Sequence, residues 1–331
     1  MIRPGPRNSI SDVPGIRVGN AEDPALLTGV TAVIPDAPAV AAADVRGGGP
    51  GSRETEALAP EATVQEVHAV VLSGGSAFGL DAAGGVMDWL RTQGRGFHIA
   101  GAVVPIVPSA IIFDLATGGP KSWQHPPWWG LGRRAAERAA PHFRLGNAGA
   151  GLGARAGALK GGLGTASAIL GNFTVGALAV VNSAGSVVIP GSRHFWAWAL
   201  EMGAEFGGLG PPEAMPGELD HRFLTEGGPD SPGANTTLVV VATDAALSRA
   251  QARRVALMAH DGLARAIRPV HTPLDGDTVF VLSTGARALA DPVHDLARIG
   301  MVAADCAARA IARGVYEAEG LAGIPAWWDL R

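Results

Sequence analysis

The sequence has 331 residues, of which 47% are hydrophobic and 17% charged, and its formal net charge is −4. This composition is typical of a globular protein and excludes long disordered regions, and the dispersed Lys and Arg residues exclude the basic stripe of a nucleic-acid-binding protein. No apolar run is long enough to span a membrane and the first twenty residues lack the apolar core of a signal peptide, so we expect a cytoplasmic protein without membrane contact.

In the first half of the chain, apolar segments alternate with turns rich in Gly and Pro. The predicted elements are a buried strand at residues 67–75, a helix ending at Gly94, a strand-like segment at 98–115, a short helix at 129–140 and a Gly-rich tract at 146–164. Pro105 and Pro108 interrupt the segment at 98–115, so we expect it to bend or to run along a sheet edge.

In the second half, strands are followed by a long irregular segment and then by alternating strands and helices. The predicted elements are a meander of strands at 166–173, 175–183 and 185–190, an exposed connection at 203–235, a buried strand at 237–245, an amphipathic helix over 255–267, a strand at 277–285 and a final helix at 291–312. This order predicts a two-layer or four-layer arrangement of helices and sheets. The single cysteine, Cys306, is expected to be a buried core thiol.

Signals for a cofactor or a metal are weak. Gly149, Gly151 and Ala154 have the spacing of a dinucleotide fingerprint, but no strand immediately precedes them, and a packed glycine loop is the preferred interpretation. The nine histidines form no metal-binding pair such as H-E-x-x-H. We therefore predict no cofactor and no metal, and a dinucleotide-dependent oxidoreductase is only a remote alternative.

Six segments distributed along the chain form a joint pattern. They are DVRGGGPGSRET (44–55), LSGGSAFGLDAAGGV (72–86), GAGLGARAGALKGGLGTAS (149–167), VVNSAGSV (180–187), GANTTLVVVATDA (233–245) and PLDGDTVFVLSTG (273–285). Together they resemble the family of DmpA-type aminopeptidases, peptidase family S58, which also contains the β-peptidyl aminopeptidases and the nylon-oligomer hydrolases. The resemblance extends from about Ile10 to about Ala312.

The resemblance implies an α+β fold, a four-layer αββα sandwich of the N-terminal-nucleophile type. It also implies a precursor that cuts itself between Asn235 and Thr236, giving chains of residues 1–235 and 236–331 that remain together as one domain. Family members are commonly tetramers of the cleaved pair, so we expect a homo-oligomer, with a tetramer as the expected form.

The resemblance also implies the residues of the site. Thr236 becomes the nucleophile, and its free α-amine becomes the base. The residues implied to act with it are Lys160 and Asn182 as catalytic partners, and Asp275 and Asp277 as an acidic pair. Phe113 occupies the place of a tyrosine in the family's aminopeptidases and is expected to contact the substrate. The chain's one tyrosine is Tyr316.

The chemistry of these residue types agrees with the implied roles. A threonine hydroxyl is a poor nucleophile, whereas a free α-amine titrates at about 7.7 to 8.0 and is a suitable base near neutral pH. Asp275 and Asp277 are two residues apart, so in an extended strand they would point to one face, where they could orient Lys160 or bind a substrate ammonium.

Taken residue by residue, the pattern also permits ordinary structural roles, such as a hairpin turn at Asp275 and Asp277. Asp44, Arg46 and Glu54 are interpreted as ion-paired support for the glycine turn rather than as catalytic groups.

A threonine nucleophile points to the nylon-hydrolase branch, since the aminopeptidase branch usually has serine. The predicted function is therefore hydrolysis of the amide bonds of ω-amino acid oligomers of the 6-aminohexanoate type, or of related peptides. An aminopeptidase that releases N-terminal residues, including β- or D-amino acids, is the main alternative. A noncatalytic binding protein that retains the fold is a third possibility.

Overall fold

The computed structural model describes residues 2–215 and 235–330. The strands in chain order are β1 (Ile2–Arg3), β2 (Ile16–Asp23), β3 (Thr28–Pro35), β4 (Ala39–Val45), β5 (Ser52–Arg53), β6 (Glu66–Val67), β7 (Val70–Ser73), β8 (Phe97–Ile99), β9 (Ala102–Val104), β10 (Ser109–Ile111), β11 (Arg155–Ala156), β12 (Leu159–Lys160), β13 (Gly162–Leu170), β14 (Phe173–Asn182), β15 (Thr236–Ala245) and β16 (Thr278–Arg287).

The α-helices of the described residues are α1 (Ala82–Thr92), α2 (Trp128–Glu137), α3 (Arg249–Ala266) and α4 (Pro292–Tyr316). Local sequence explains where the two longer helices begin. Ser248 caps α3 in a capping box with Gln251, and the Asp291 side chain caps α4, whose first residue is a proline. Helix α1 is followed by Gly94 at φ +68°, a left-handed conformation that glycine adopts without strain.

Two sheets form the centre of the molecule. The larger has the order β1-β13-β14-β15-β16-β4-β6, in which β15 and β16 are parallel and the remaining neighbours are antiparallel. The smaller has the order β2-β3-β7-β10-β5. Strand β15 is therefore the middle strand of the larger sheet, with β14 on one side and β16 on the other.

Three apolar cores separate four layers. One core lies between the two sheets and includes Leu238 and Val240 of β15. A second core lies between the larger sheet and helices α3 and α4 and includes Val239 and Val241, because successive side chains of a strand point to opposite faces. The third lies between the smaller sheet and helices α1 and α2. The chain is thus an α+β protein with the predicted αββα sandwich.

Small residues bring helix α4 close to the larger sheet. A Cβ atom added at Gly164 of β13 would collide with the carbonyl oxygen of Ala310 and with Gly314 in α4. The helix backbone therefore lies almost directly on the strand, and substitution of Gly164 would separate the layers. Cys306 lies in α4 as predicted, fully buried, and burial raises the pKa of its thiol to about 12.

Most predicted elements are present, with three differences. The strand predicted at 67–75 is split into β6 and β7. The segment at 98–115 is interrupted between Pro105 and Pro108, in agreement with the predicted bend, but its first part is a separate hairpin of β8 and β9, and its last part, β10, lies inside the smaller sheet between β7 and β5 rather than at an edge. Residues 185–190 form isolated bridges rather than a third strand, since Gly185 packs against the backbone of Arg268 and Pro269.

The Gly-rich tract contains a short 3-10 helix, Gly149–Gly151, and continues into the small hairpin of β11 and β12. The helix that a dinucleotide fingerprint requires does not follow it. Of the exposed connection predicted at 203–235, residues 216–234 lie outside the described residues. None of the helices in residues 2–215 and 235–330 combines the length and apolar character needed to cross a bilayer.

Candidate active site

Thr236 is the first residue of the central strand β15 and is almost completely buried. Its Cα atom is paired with that of Asn182, the last residue of β14, and Asn235 forms a bridge with Asp275. Gly162 of β13 is paired with Val181, so Lys160 lies at the same end of the sheet. Thr236 and three of the residues predicted to act with it, Asn182, Asp275 and Lys160, therefore lie at one end of the larger sheet.

The carbonyl group of Asn235 accepts two hydrogen bonds. The Thr236 hydroxyl donates to this oxygen through a short contact, and the backbone N–H of Gly276 donates to it at 2.9 Å. A Cβ atom added at Gly276 would lie 2.7 Å from Thr236 Oγ1 and 2.8 Å from the carbonyl oxygen of Gly49. The close approach of the hydroxyl thus requires glycine at position 276, which lies in the segment at 273–285 but is not among the predicted site residues.

Asn182 joins the strand carrying Thr236 to two loops. Its Oδ1 atom accepts a hydrogen bond from the backbone N–H of Arg155 at 2.9 Å, and its Nδ2 atom donates to the carbonyl oxygen of Phe113 at 3.4 Å. Phe113 is half-buried, and its carbonyl group contacts the side chain of the residue that is paired with Thr236. Tyr316, by contrast, packs in edge-to-face and tilted contacts against Phe195, Trp327 and Trp328, outside this site.

Lys160 is fully buried and its ammonium group donates three hydrogen bonds to backbone carbonyls. The acceptors are Gly151 O at 2.9 Å, Ala154 O at 2.8 Å and Gly161 O at 2.7 Å. An ammonium has three N–H donors, so all of them are used. Burial lowers the pKa of Lys160 to about 7, and the negative charge of Asp114 opposes this shift.

Asp114 is a second buried charge that the sequence analysis did not single out. It accepts hydrogen bonds from Thr28 Oγ1 at 2.6 Å and from the Gly75 N–H at 2.7 Å. Burial nevertheless raises its pKa to about 6. Gly153, in the turn that holds Lys160, packs against the Asp114 side chain. Its position directly after Phe113 was the available signal for this residue in the sequence.

Asp275 and Asp277 lie in the turn before β16 rather than within an extended strand. Asp275 accepts from the Ala184 N–H at 3.0 Å and from Thr272 Oγ1 at 2.6 Å, and its pKa is raised by burial and by the neighbouring charge of Asp277. Asp277 accepts from the Thr237 N–H at 2.7 Å. These hydrogen bonds brace backbone next to Asn182 and Thr236, whereas Lys160 donates to backbone carbonyls rather than to this pair. Binding of a substrate ammonium by the pair stays a prediction.

The glycine loop after β4 encloses this turn. Gly49 N–H donates to Asp275 O at 2.8 Å, and a Cβ atom at Gly47 would collide with the backbone of Asp275 and Asp277. The ion pair expected there exists between Asp44 and Arg46, at 3.0 Å. Glu54 does not have the ion-paired role expected for it, because its buried Oε2 atom has no hydrogen-bond partner among the described residues. Its φ is +60°.

Two histidines, treated as ordinary structural residues in the sequence, extend the site away from Thr236. His271 Nδ1 lies 2.8 Å from Asp277 Oδ2, and the His271 ring packs edge to face on the His260 ring, with centroids 4.9 Å apart. His260 Nε2 lies 3.1 Å from Asp44 O. Burial lowers the pKa of His260 to about 4, so this imidazole is neutral at neutral pH.

Comparisons with known proteins extend these observations. The sequence model described as peptidase family S58 matches residues 8–326. A protein of Mycobacterium tuberculosis named as an uncharacterized aminopeptidase is 48% identical over 342 residues, which cover 98% of each chain. A 6-aminohexanoate-oligomer endohydrolase of Paenarthrobacter ureafaciens is 32% identical over 283 residues, which cover 82% of this chain and 74% of the relative.

Among solved structures, the L-aminopeptidase D-Ala-esterase/amidase of Ochrobactrum anthropi superposes with a TM-score of 0.70 and 22% identity, covering 96% of this chain and 88% of that one. That structure is described as a prototype of the serine aminopeptidases with a variant of the Ntn hydrolase fold. The αββα sandwich seen here is therefore a fold of the N-terminal-nucleophile type.

Proposed function

This chain belongs to peptidase family S58 and hydrolyses amide or peptide bonds, and we propose that it does so with Thr236 as an N-terminal nucleophile produced by self-cleavage. The observation that carries the proposal is the contact between the Thr236 hydroxyl and the Asn235 carbonyl, which also accepts from the Gly276 N–H. The nucleophile and the bond to be cut are already in contact in the uncut chain.

Self-cleavage begins when Thr236 Oγ1 attacks the carbonyl carbon of Asn235. The Gly276 N–H stabilises the negative charge that develops on the carbonyl oxygen. The C–N bond then breaks and the hydroxyl proton passes to the departing nitrogen, which leaves the Asn235 acyl group as an ester on Thr236. Water hydrolyses this ester to give a carboxyl group on Asn235 and a free hydroxyl and α-amine on Thr236.

The cleaved enzyme uses the same groups on its substrate. The α-amine of Thr236 takes the hydroxyl proton while Oγ1 attacks the substrate amide carbon, and the proton then passes to the leaving amine. The acyl group remains on Thr236 until water hydrolyses the ester. After cleavage, the Gly276 N–H has lost the Asn235 carbonyl as its acceptor, so it becomes a donor for the oxyanion of the substrate.

The surrounding residues hold this geometry. Asn182, whose Cα is paired with that of Thr236 across the sheet, is proposed as a second donor to the oxyanion through its side-chain amide. Lys160 holds the turn at residues 151–154, and we propose that its protonated form disfavours protonation of the Thr236 amine. Asp275 and Asp277 hold the backbone on either side through the N–H groups of Ala184 and Thr237.

For the substrate, we propose linear ω-amino acid oligomers of the 6-aminohexanoate type or related peptides. A threonine at the cleavage point and the similarity to a 6-aminohexanoate-oligomer endohydrolase support this choice. Phe113, whose backbone carbonyl accepts from Asn182, carries an apolar ring rather than a phenol, and we expect this ring to contact the methylene chain of the substrate.

An aminopeptidase is the second candidate, since the relative that is 48% identical over almost the entire length is named as one. Oligomers blocked at their amino end by acetylation separate the two activities. An endo-acting amidase cuts the blocked oligomer internally, whereas an aminopeptidase releases residues only from the unblocked form; mass spectrometry of the products identifies which reaction occurs.

Self-cleavage is tested by denaturing electrophoresis with amino-terminal sequencing. Purified protein should give fragments of about 24 and 10 kDa, in proportion to their share of the 33.6 kDa chain, the smaller one beginning at Thr236. Thr236→Ala should give one inactive full-length band, and Thr236→Ser should still cleave. A Thr236→Ala chain that is cut before residue 236, or an uncut wild-type chain with full activity, would refute the proposal.

We also propose that both fragments remain in one αββα domain, in a cytoplasmic homo-oligomer, with a tetramer as the expected form. The association of the fragments is supported by two apolar cores, each of which contains side chains from residues 1–235 and from residues 236–331. Light scattering on the cleaved protein measures the mass of the assembly, and a mass of one uncut chain would contradict the second part.

A further inference from the structure

Asp277 is held from two sides. One oxygen, Oδ1, accepts from the Thr237 N–H at 2.7 Å, immediately after the nucleophile. The other, Oδ2, accepts from both the backbone N–H of His271 at 3.1 Å and the ring Nδ1 at 2.8 Å. The carboxylate is only 1% exposed, so water does not replace these donors. The position of the Thr237 amide therefore depends on the group that holds Oδ2.

His271 has a backbone conformation that residues other than glycine seldom adopt. Its φ is +54°, in the left-handed region, where Gly is favoured and Asn, Asp and His are the commonest of the other residues. In this conformation its N–H and its ring Nδ1 converge on one oxygen. Strained backbone of this kind persists where the surrounding structure requires it and is concentrated at functional sites.

His260 supports the His271 ring from the α3 side. Its Nε2 atom lies next to the carbonyl oxygen and the carboxylate of Asp44, at 3.1 and 3.3 Å. Both groups only accept hydrogen bonds, so Nε2 of the neutral ring carries the proton. The His271 ring is thus confined between the His260 ring and Asp277.

From this geometry we propose that His271 is a positioning residue for the reaction of Thr236. It holds the Asp277 carboxylate, which holds the Thr237 N–H and so aligns the Thr236 hydroxyl with the carbonyl it attacks. His271 touches neither the substrate nor the reacting atoms. The inference rests on the proposed function, because it assigns His271 to self-cleavage and to the turnover that follows.

The test compares His271→Gly with His271→Asn. Glycine adopts the left-handed conformation freely but lacks the ring donor, whereas asparagine tolerates the conformation and presents its Nδ2 donor where histidine has Nδ1. Loss of a hydrogen bond to a buried charge should slow self-cleavage by His271→Gly about ten- to hundredfold and lower kcat of the cleaved enzyme similarly, with KM changed by less than about twofold. His271→Asn should remain within about fivefold of the wild-type rates.

His194→Gly is the matched control. His194 is also partly buried and bonded through Nδ1, at 3.0 Å from Gly210 O, and it makes no hydrogen bond to Asp277. This variant should cleave at the wild-type rate. Circular dichroism establishes that each variant is folded; if His271→Gly is not folded at the assay temperature, all variants are compared at a lower temperature at which it is.

The outcomes separate the two proposals. A wild-type rate in His271→Gly, an effect on KM alone, an equally slow His271→Asn, or an equal loss in His194→Gly would overturn the positioning role while self-cleavage at Thr236 stands. A wild-type chain that never cuts before Thr236 would overturn the proposed function and this inference together.

Discussion

Replacement of Arg309 by methionine tests what holds the two proposed fragments together. The Arg309 guanidinium is fully buried in α4 and donates to both carboxylate oxygens of Glu205, at 2.6 and 2.9 Å. It also donates to Ser167 O at 3.0 Å and to Asn8 Oδ1 at 2.8 Å. Arg309 belongs to the fragment of residues 236–331, whereas all three partners belong to residues 1–235.

The expected loss of stability follows from the burial of the pair. The Glu205 side chain is only 6% exposed, so in Arg309→Met its charge would remain buried without its ion-pair partner. Removal of one partner of a buried ion pair costs about 3–5 kcal/mol, because the remaining charge is not compensated by water. For a chain of this size the melting temperature should fall by about 5–10 °C.

Thermal unfolding of the cleaved protein, followed by circular dichroism, measures the effect. Arg265→Met is the matched control, since Arg265 pairs with Asp305 at 2.9 Å on the surface and within one fragment. That change should cost at most about 1 kcal/mol. The double variant Arg309→Met with Glu205→Leu should recover much of the loss, because no charge remains buried. Equal melting temperatures for the two single variants, or no recovery in the double variant, would refute the reasoning.

Three further predictions concern the site itself. Gly276→Ala should slow self-cleavage strongly, because the added Cβ lies 2.7 Å from Thr236 Oγ1; a time course on denaturing gels against Gly130→Ala, where the added Cβ meets only a side chain at 3.5 Å, checks this. The fold lowers the pKa of Lys160 to about 7, so between about pH 7 and 10 this lysine is protonated in the unfolded chain but neutral in the folded one. The contribution of Lys160 therefore makes the free energy of unfolding rise with pH in that range. Lys160→Met should lack the rise in urea unfolding at pH 7 and 9, and an unchanged slope would contradict the prediction. The fold lowers the pKa of His260 to about 4, so between about pH 6.5 and 4 this histidine is protonated in the unfolded chain but neutral in the folded one. Its contribution to the free energy of unfolding is therefore complete above about pH 6.5 and is lost as the pH falls through 4. In urea unfolding, His260→Gln should therefore lose less stability than wild type between pH 6.5 and 4.

The sequence by itself determined the family, the layers and the position of the cleavage point. Apolar runs with strand and helix periods were sufficient for β15, α3, β16 and α4, because these elements are long and bury whole faces. The change from a polar segment to a buried strand placed Thr236 at the start of that strand. The prediction failed for residues 185–190, where an apolar run packs against a loop and no neighbouring strand is available for pairing.

The tertiary structure alone decided which groups contact the reacting atoms and which support them. Gly276 and His271 have no distinctive local pattern, because their importance arises from contacts with Thr236 and Asp277 that form only when the turn at 272–277 closes against the glycine loop. Lys160 illustrates the same limit: sequence identified the residue, but its three carbonyl acceptors come from a turn that folds around it. Hydrogen bonds between segments far apart in sequence depend on distances and directions in the folded chain, and residue spacing does not encode them locally.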